Sequence, residues 1–355
     1  MKKIIVAIDS FKGCMSSAEA NEAVAERVHQ VLPDAEIIQI PVADGGEGWL
    51  EAFQSALGGE LREIPAHDPL MRPMKAAYLV KGETAVIEIA QASGLPLLTK
   101  EERNPLVATS YGTGELVADA IKNGCKHIIV GLGGSATSDC GKGMLRAIID
   151  KLAPGGSWDD VKELKDVRFT IASDVTNPLC GENGAAHVFA PQKGATPEMV
   201  LQLDEQARKF AEISAKHFGF DRQDMPGAGA AGGLGYAFLQ YMDADCRPGV
   251  EILLEAVRFD ELLTGANLVF TGEGSADRQT LMGKLPFGIL KGAQAKHVPV
   301  ALMAGRIQDS QILLDAGFAY TECINPEGIT LEEAMNPETA KANIARTALE
   351  IINKQ

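Results

Sequence analysis

The chain has 355 residues, a formal net charge of −15 at pH 7, 46% hydrophobic residues and 5% aromatic residues. The length predicts two domains, and the hydrophobic content is typical of a folded globular protein, which excludes a disordered one. The negative charge and the few aromatic residues exclude a nucleic-acid-binding protein, because nucleic-acid phosphates repel such a surface. If the substrate is an anion, the site must therefore supply its own local positive charge.

The N-terminal residues show no secretion signal and the chain shows no membrane span. Residues 1–9 are too few for a charged and an apolar region, and no run of about eighteen apolar residues occurs. We therefore expect a cytoplasmic protein with no membrane partner. The six cysteines form no Cys-x-x-Cys pair, which argues against a zinc site or a disulfide framework.

The N-terminal region predicts alternating strands and helices. Residues 3–8 are almost wholly apolar, as in a buried parallel strand, and they end at Asp9. Ser16 precedes an acidic first turn, which predicts a helix start. A second strand is predicted over residues 36–42, and it ends at the glycine-rich segment 44–48, before another helix. This order indicates a parallel sheet with helices on its faces.

The middle of the chain has an α/β pattern of its own. Strands are predicted over residues 85–90, 127–130 and 167–172. Helices are predicted over residues 113–123, 143–152, 197–219 and 235–241. Residues 227–235 are nearly all Gly and Ala, a composition that permits close approach of the backbone to a ligand or a neighbouring segment.

The C-terminal region repeats the N-terminal pattern. Strands are predicted over residues 267–270, 299–303 and 319–324, and helices over residues 279–297, 310–316 and from 338 onwards. Because the strands at the two ends complete one doubly wound parallel sheet, we predict a Rossmann-like (flavodoxin-like) α/β domain of residues 1–65 and 263–355. A second α/β domain, residues 66–262, is predicted to be inserted into it.

Four predicted strand ends run into loops that combine glycine with an acidic residue. These loops begin at Asp9, Asp44, Gly131 and Gly272. Ligands of open α/β sheets bind beyond the carboxyl ends of the strands. The loop 131–139 has the small residues of a phosphate cradle, in which backbone N–H groups point at an anion, although a plain tight turn is the alternative. It is neither a Walker A loop nor Gly-x-Gly-x-x-Gly.

Phosphoryl transfer needs carboxylates that hold a divalent ion or accept a proton, and cations that bind anionic groups. Acidic candidates at or just past strand ends are Asp9, Asp44, Glu47, Asp139, Asp174, Glu273 and Asp277. Some of these are expected to be helix caps only. Cationic candidates beside glycine-bearing loops are Lys12, Lys193, Arg278, Lys284 and Arg306.

The chain resembles the type I glycerate kinases, the family that includes the bacterial glycerate 2-kinases. Seven segments carry the resemblance, in the family's order and across nearly the whole chain: DSFKG (9–13), PVADGGEG (41–48), GLGGSAT (131–137), ASDVTNPL (172–179), FAPQKG (189–194), GAAGGLG (229–235) and TGEG (271–274). The resemblance implies ATP and Mg²⁺ as cofactors, D-glycerate as acceptor, and an active site between the two domains. It implies 2-phosphoglycerate as product, with 3-phosphoglycerate as the alternative.

With this resemblance in view, we assign the candidates to four groups of roles. The residues expected at the nucleotide are Gly133, Gly134, Ser135, Asp139, Asn177 and Lys193. The residues expected to hold Mg²⁺ are Asp174 and Asp139. The residues expected at the substrate are Ser10, Lys12, Arg306, Asp277 and Lys284. The catalytic candidates are Asp9, Lys12, Asp44, Glu47 and Glu273, of which Asp9, Asp44 or Glu273 accepts the hydroxyl proton.

Two segments depart from the family's pattern. The family usually carries a longer stretch with a hairpin where this chain has residues 148–165, so the inserted domain is expected to lack that hairpin. The family usually reads Gly-Arg-Ile-Asp at 274–277, and this chain has Ser275 in place of the cation, for which Arg278 is the nearest substitute.

Three rival functions stay open on the sequence. They are a kinase of another small hydroxy acid, a non-catalytic sensor of an anionic metabolite, and a nicotinamide-dependent enzyme. The absence of Gly-x-Gly-x-x-Gly after the first strand argues against the last of these. The sequence also leaves the choice between a monomer and a homodimer open.

Overall fold

The computed structural model describes residues 2–43, 45–46 and 48–354. Asp44 and Glu47, both predicted to be catalytic, lie outside the described residues. The strands are β1 (Lys3–Ile8), β2 (Glu36–Gln39), β3 (Glu60–His67), β4 (Pro73–Lys81), β5 (Thr84–Glu88), β6 (His127–Gly131), β7 (Arg168–Ala172), β8 (Asp245–Arg247), β9 (Leu268–Ala276), β10 (Val300–Ile307) and β11 (Tyr320–Cys323).

Helices follow most of these strands. They are α1 (Ser17–Val31), α2 (Trp49–Leu57), α3 (Ala90–Ser93), α4 (Tyr111–Lys122), α5 (Lys142–Leu152), α6 (Ala185–Phe189), α7 (Pro197–Phe218), α8 (Ala230–Met242), α9 (Gly249–Ala256), α10 (Phe259–Leu262), α11 (Leu285–Ala295), α12 (Ser310–Asp315), α13 (Leu331–Ala334) and α14 (Pro337–Ile352). In the part of the chain that the structure describes, none of these helices has the length and apolar character needed to cross a membrane.

The chain divides into two compact units. The first unit comprises Met1–Ala43, Glu51–Leu57 and Val250–Gln355, and the second comprises Asp44–Leu50 and Gly58–Gly249. The sequence placed the boundaries after residues 65 and 262 instead. The first of these falls inside β3, which pairs with β4 and so belongs to the second unit. The second falls after α10, whose Phe259 fills the space above Gly292 of α11 in the first unit.

The first unit is built on a five-stranded parallel sheet in the order β11-β10-β9-β1-β2. Counted within the unit, this is the flavodoxin-like order 2-1-3-4-5, so the strand order reverses between β1 and β9. Ile4, Val6 and Ile8 of β1 join α1 and α14 in one buried core. The predicted α/β fold class is therefore confirmed, and the reversal marks the edge where ligands of such sheets bind.

The start of α1 forms as its sequence predicts. Ser16 Oγ accepts a hydrogen bond of 3.2 Å from Glu19 N, and Ser16 N donates one of 2.9 Å to Glu19 Oε2. This reciprocal capping box satisfies two backbone donors at the helix start and ends the loop that carries Lys12. The hydrogen-bonded ion pair that Glu19 forms with Lys341, together with the capping hydrogen bonds, lowers the pKa of Glu19 to about 2.

The second unit contains a six-stranded sheet in the order β3-β4-β5-β6-β7-β8. β3, β4 and β5 are antiparallel neighbours, and β5 to β8 are parallel. The sequence did not predict β3, β4 or β8. β3 carries Pro65 and is mostly exposed, as expected of an edge strand, and β8 has only three residues, so neither carries the apolar run of a buried strand.

Two expectations in the C-terminal region are wrong. The helix predicted over 279–297 is a 3₁₀ turn (Arg278–Leu281) followed by α11, because Gly283 has a φ of +100° and Pro286 lies in the first turn of a new helix. The strand predicted over 267–270 extends as β9 to Ala276. Glu273, expected in a loop, therefore lies in a strand.

Candidate active site

A pocket of about 390 Å³ lies in the second unit at the carboxyl ends of β6 and β7. Its polar side chains are Ser135, Ser173, Asp174, Gln192 and Lys193, and its larger apolar side chains are Leu95, Leu132, Val175 and Phe189. The wall is completed by small residues, namely Gly46, Gly133, Gly134, Ala172, Ala230 and Ala231. A mostly apolar pocket with a few convergent polar groups is the usual form of a small-molecule site.

The glycine loop, residues 131–139, forms one side of this pocket. Gly133 N donates to Gly45 O at 2.9 Å, and Gly134 O accepts from Leu95 N at 2.8 Å. Gly134 has a φ of +74°, a conformation that glycine adopts without strain. Among the described residues, no acceptor pairs with the N–H groups of Gly134 and Ser135. Two backbone donors at the pocket wall are therefore available to an anion.

Lys193 places a cation inside the same wall. Its side chain is buried (3% exposed), and Nζ donates to Thr137 O at 2.6 Å and to Ser135 Oγ at 3.3 Å. Within the described part of the chain, no carboxylate forms an ion pair with it. Burial lowers the pKa of Lys193 to about 7, against a smaller opposing effect of Asp139. A bound phosphate would supply the counter-charge that this ammonium group lacks.

The Gly- and Ala-rich stretch folds into a left-handed turn at the start of α8. Ala231, Gly232 and Gly233 have φ values of 53°, 67° and 89°. A Cβ atom on Gly232 would lie 2.0 Å from Thr137 O, so this turn packs directly on the glycine loop. Ala231 O accepts from Ser135 Oγ at 3.4 Å and lines the pocket. Ala231 is a non-glycine residue in this conformation, a strained position of the kind found at ligand sites. The Gly and Ala content of residues 227–235 predicted a close backbone approach here, but not the strained conformation of Ala231.

Asp139, predicted to bind nucleotide and metal, accepts four hydrogen bonds from residues around the start of α5. Its Oδ2 accepts hydrogen bonds from Ser110 N, Ser110 Oγ and Gly143 N at 2.8–3.0 Å, and its Oδ1 accepts one from Gly141 N at 3.0 Å. It does not line the pocket. Four donors to one carboxylate match the capping alternative, since Gly141 and Gly143 lie at the start of α5.

Asp174 and Asn177 follow β7. Asp174 is exposed on the pocket wall, and its Oδ1 accepts from Gly249 N at 3.2 Å. Asn177 Nδ2 donates to Asn183 O at 2.8 Å, so its side chain holds the loop, and it does not line the pocket. No group of three or more His, Cys, Asp or Glu side chains that could hold a metal occurs among the described residues. Of the predicted metal ligands, Asp174 is the one at the pocket.

The remaining described candidates lie in the first unit, at the sheet edge where the strand order reverses. Asp9 N donates to Gly272 O at 3.0 Å, so Asp9 follows β1 directly beside β9, and Ser10 N donates to Asp9 Oδ1 at 2.7 Å. Glu273 and Arg306 lie farther along β9 and β10, opposite Ala304 and Ser275 respectively. The strand register therefore brings one cation, two carboxylates and one hydroxyl group to the same edge of the sheet.

Lys12 is exposed on a tight loop next to the same edge. Phe11 and Met15 pair through Phe11 N to Met15 O at 2.9 Å and Met15 N to Phe11 O at 3.1 Å. Gly13, with a φ of +74°, completes the turn between them. Lys12 therefore sits at the tip of a short, hydrogen-bonded loop, which fixes its backbone and leaves its side chain in solvent.

Glu273 is buried and makes two side-chain contacts. Its Oε1 accepts from Thr280 Oγ1 at 2.6 Å, and its Oε2 accepts from Lys284 Nζ at 3.0 Å. Asp277 caps the 3₁₀ turn, accepting from Gln279 N at 2.7 Å, and Arg278 is exposed. Sequence reasoning missed Thr280, because a threonine in a predicted helix carries no functional signal.

Three comparisons identify the relatives of this chain. The glycerate kinase family matches it over residues 4–153 and 157–354. This chain belongs to the glycerate kinase family. The break at residues 154–156 falls within the segment 148–165, which the sequence identified as short, and two 3₁₀ turns (Trp158–Asp160 and Lys162–Asp166) follow it.

Full-length relatives agree with the family match. The glycerate kinase of Bacillus subtilis (strain 168) is 42% identical, over 98% of this chain and 96% of its own length. The glycerate 2-kinase of Escherichia coli (strain K12) is 40% identical, over 97% of both chains. A crystal structure described as glycerate kinase 2 from Salmonella typhimurium LT2 has a TM-score of 0.84 and 37% identity, over 99% of this chain and 98% of that one.

Membership of the glycerate kinase family fixes the class of reaction. The chain is a phosphotransferase with an alcohol group as acceptor, and as a kinase it takes the phosphoryl group from ATP. The predicted family and enzyme class are confirmed. The nicotinamide-dependent rival is excluded. The pocket and the sheet edge are the candidate sites for the two substrates.

Proposed function

We propose that this glycerate kinase transfers the γ-phosphoryl group of ATP to the 2-hydroxyl of D-glycerate and forms 2-phosphoglycerate. The observation that carries the nucleotide site is the pocket of the second unit. It is lined by the buried Lys193 and by Gly134 and Ser135, whose backbone N–H groups have no acceptor among the described residues. The relative named glycerate 2-kinase supports the 2-hydroxyl as acceptor. The 3-hydroxyl is the alternative.

In this proposal the phosphates of ATP lie on the glycine loop. The N–H groups of Gly134 and Ser135 donate to phosphate oxygens, and Lys193 supplies positive charge in a low-dielectric wall, where it acts most strongly. The apolar side chains Leu95 and Phe189 offer the nucleotide base a surface to pack on. Asn177 supports this site from the loop behind it.

We propose Mg²⁺ as the second cofactor, held by Asp174. An exposed carboxylate on the wall of the phosphate pocket fits a small divalent ion, which is typically bound by one or two carboxylates and by substrate phosphates. The ion neutralises charge on the phosphate oxygens when bound. Asp139 is left out of this site, because backbone and hydroxyl donors occupy its carboxylate.

We place D-glycerate at the sheet edge of the first unit. Lys12, Arg306 and Lys284 supply cations for its carboxylate or for the moving phosphoryl group. Ser10 and Asp277 complete the substrate site. Asp9 is the proposed acceptor of the hydroxyl proton, because it is partly exposed whereas Glu273 is buried and contacted on both oxygens.

Two catalytic candidates and two properties of the protein stay predictions. Asp44 and Glu47 stay catalytic candidates from the sequence. A cytoplasmic location and the choice between monomer and homodimer also stay predictions.

A panel of acids tests the proposed substrate. ADP release is followed by a coupled assay with ATP, Mg²⁺ and, in turn, D-glycerate, L-glycerate, glycolate, D-lactate and tartrate. The proposal expects the highest kcat/KM with D-glycerate, and a loss of at least about a hundredfold in Lys12→Ala. Higher kcat/KM with another acid would make that acid the substrate. Thermal stabilisation by the acids without ADP release would identify a sensor.

A further inference from the structure

The side-chain hydroxyl of Thr280, in the 3₁₀ turn of the first unit, is buried and has no role so far in the proposed reaction. Thr280 is completely buried (0% exposed), and its Oγ1 makes two hydrogen bonds. It accepts from Asp277 N at 3.0 Å and donates to Glu273 Oε1 at 2.6 Å. Because the backbone N–H uses a lone pair, the single hydroxyl proton is directed to the carboxylate.

The carboxylate of Glu273 also forms an ion pair with Lys284. Glu273 is 7% exposed, and its second oxygen accepts from Lys284 Nζ at 3.0 Å. The side chain of Lys284 is 42% exposed, so its ammonium group can reach a ligand that the buried carboxylate cannot. The three residues lie on three consecutive pieces of chain: β9, the 3₁₀ turn and the residue before α11.

We propose that Thr280 is a positioning residue of the acid site. It orients the carboxylate of Glu273, which in turn holds the ammonium group of Lys284 toward the carboxylate of the bound hydroxy acid. This inference rests on the proposed function, in which Lys284 binds D-glycerate. Glu273 then holds the ammonium group of Lys284 in position, and Asp9 remains the residue that accepts the hydroxyl proton.

The geometry favours a positioning role over a general packing role. A buried carboxylate that bonded only to backbone donors would stabilise the fold without any cation. Here the charge of Glu273 is balanced by a half-exposed lysine at the edge where ligands of this sheet type bind. An ion pair at such a position fixes the rotamer of the long lysine side chain before the ligand binds. Binding then costs less conformational entropy.

The test compares two substitutions of buried threonines in the first unit. Thr280→Val removes the hydroxyl and keeps the shape. Thr347→Val does the same in α14, where Thr347 (2% exposed) donates to Asn343 O at 3.0 Å. Steady-state kinetics with D-glycerate and ATP are measured for both variants, for Thr280→Ser, for Lys284→Met and for the double variant Thr280→Val/Lys284→Met.

We expect Thr280→Val to raise the KM for D-glycerate by about tenfold and to leave the KM for ATP unchanged. Thr280→Ser keeps the hydroxyl and should stay within about twofold of wild type, as should Thr347→Val. In the double variant, the loss should not exceed that of Lys284→Met alone, because Thr280 acts through the lysine. If Thr280→Val does not fold, Glu273→Gln takes its place, with the same expected rise in KM.

Three results would overturn the inference. They are an unchanged KM for D-glycerate in Thr280→Val, an equal effect in Thr347→Val, and losses that add fully in the double variant. Failure of the proposed function is seen separately, since wild-type protein would then release no ADP with D-glycerate. A normal KM in Lys284→Met would remove the lysine from the acid site and the inference with it.

Discussion

The burial of Lys193 is expected to lower the free energy of unfolding, and it places a cation at the proposed nucleotide site. Lys193 is buried, and no carboxylate among the described residues forms an ion pair with it. Transfer of an unpaired charge from water costs free energy. We predict that Lys193→Met raises the free energy of unfolding at pH 7 by at least about 1 kcal/mol and weakens ATP binding by at least about tenfold. Urea unfolding and a nucleotide titration measure the two effects, and a destabilised variant with normal ATP binding would contradict the account.

The stability effect of Lys193 has a definite pH dependence. Burial lowers its pKa from 10.5 to about 7, so between these values the unfolded chain carries a proton that the folded protein lacks. Stability therefore rises with pH across this window, and below pH 7 both states are protonated. The stability advantage of Lys193→Met over wild type should shrink from pH 7 to pH 9. A stability advantage of Lys193→Met that is constant or larger at pH 9 would show that burial does not lower the pKa of Lys193.

Two aspartates near the pocket should behave in opposite ways. Asp139→Ala removes the acceptor of four hydrogen bonds and should cost about 3 kcal/mol of stability, with the Mg²⁺ dependence of the surviving activity unchanged. Asp174→Asn should keep the stability and raise the Mg²⁺ concentration needed for half-maximal rate by at least about tenfold. Thermal unfolding and Mg²⁺ titrations distinguish them, and the reverse pattern would restore Asp139 as the metal ligand.

The contact between the glycine loop and the start of α8 is the element on which the nucleotide site depends. Gly232→Ala adds a Cβ that would lie 2.0 Å from Thr137 O, whereas Gly155→Ala meets nothing within 4 Å. Both glycines have positive φ, at 67° and 79°, so both variants carry the same backbone strain of about 1 kcal/mol. We expect Gly232→Ala to lose more stability than Gly155→Ala and to raise the KM for ATP. Equal stabilities with normal kinetics would show that the contact is not needed.

Strands and helices with a clear apolar pattern could be predicted from the sequence, and elements whose form depends on neighbours could not. β1 and α1 carry their own signals, an apolar run and a capping box. β3 is a mostly exposed edge strand that contains Pro65, and it forms because β4 lies beside it. The predicted helix over 279–297 failed because Gly283 and Pro286 interrupt it within an otherwise helical pattern.

The candidate site was predicted as a set of loops, without the contacts that give each residue its role. Glycines and carboxylates at strand ends identify the loops from the sequence alone. The burial of Lys193 depends on Thr137 and Ser135, more than fifty positions earlier in the chain, and no local pattern reports it. The same holds for Thr280, whose role follows from a hydrogen bond to Glu273 across a turn.

At the scale of the whole molecule, two α/β units share one chain, and each provides one part of the proposed reaction. In the proposal, the second unit supplies backbone donors and a buried cation to the polyphosphate, and the first supplies exposed cations and a carboxylate to the small acid. Separate sites for donor and acceptor predict that neither substrate competes with the other. Initial rates measured over a grid of ATP and D-glycerate concentrations should show no competitive inhibition between them.

A phosphorus NMR spectrum of the reaction product tests the central claim most directly. Protein is incubated with ATP, Mg²⁺ and D-glycerate, and the phosphomonoester resonance is compared with authentic 2- and 3-phosphoglycerate. The account predicts ADP and 2-phosphoglycerate in equal amounts. Unchanged ATP, or ADP with inorganic phosphate and no phosphoester, would contradict glycerate phosphorylation, and 3-phosphoglycerate would contradict the proposed acceptor hydroxyl.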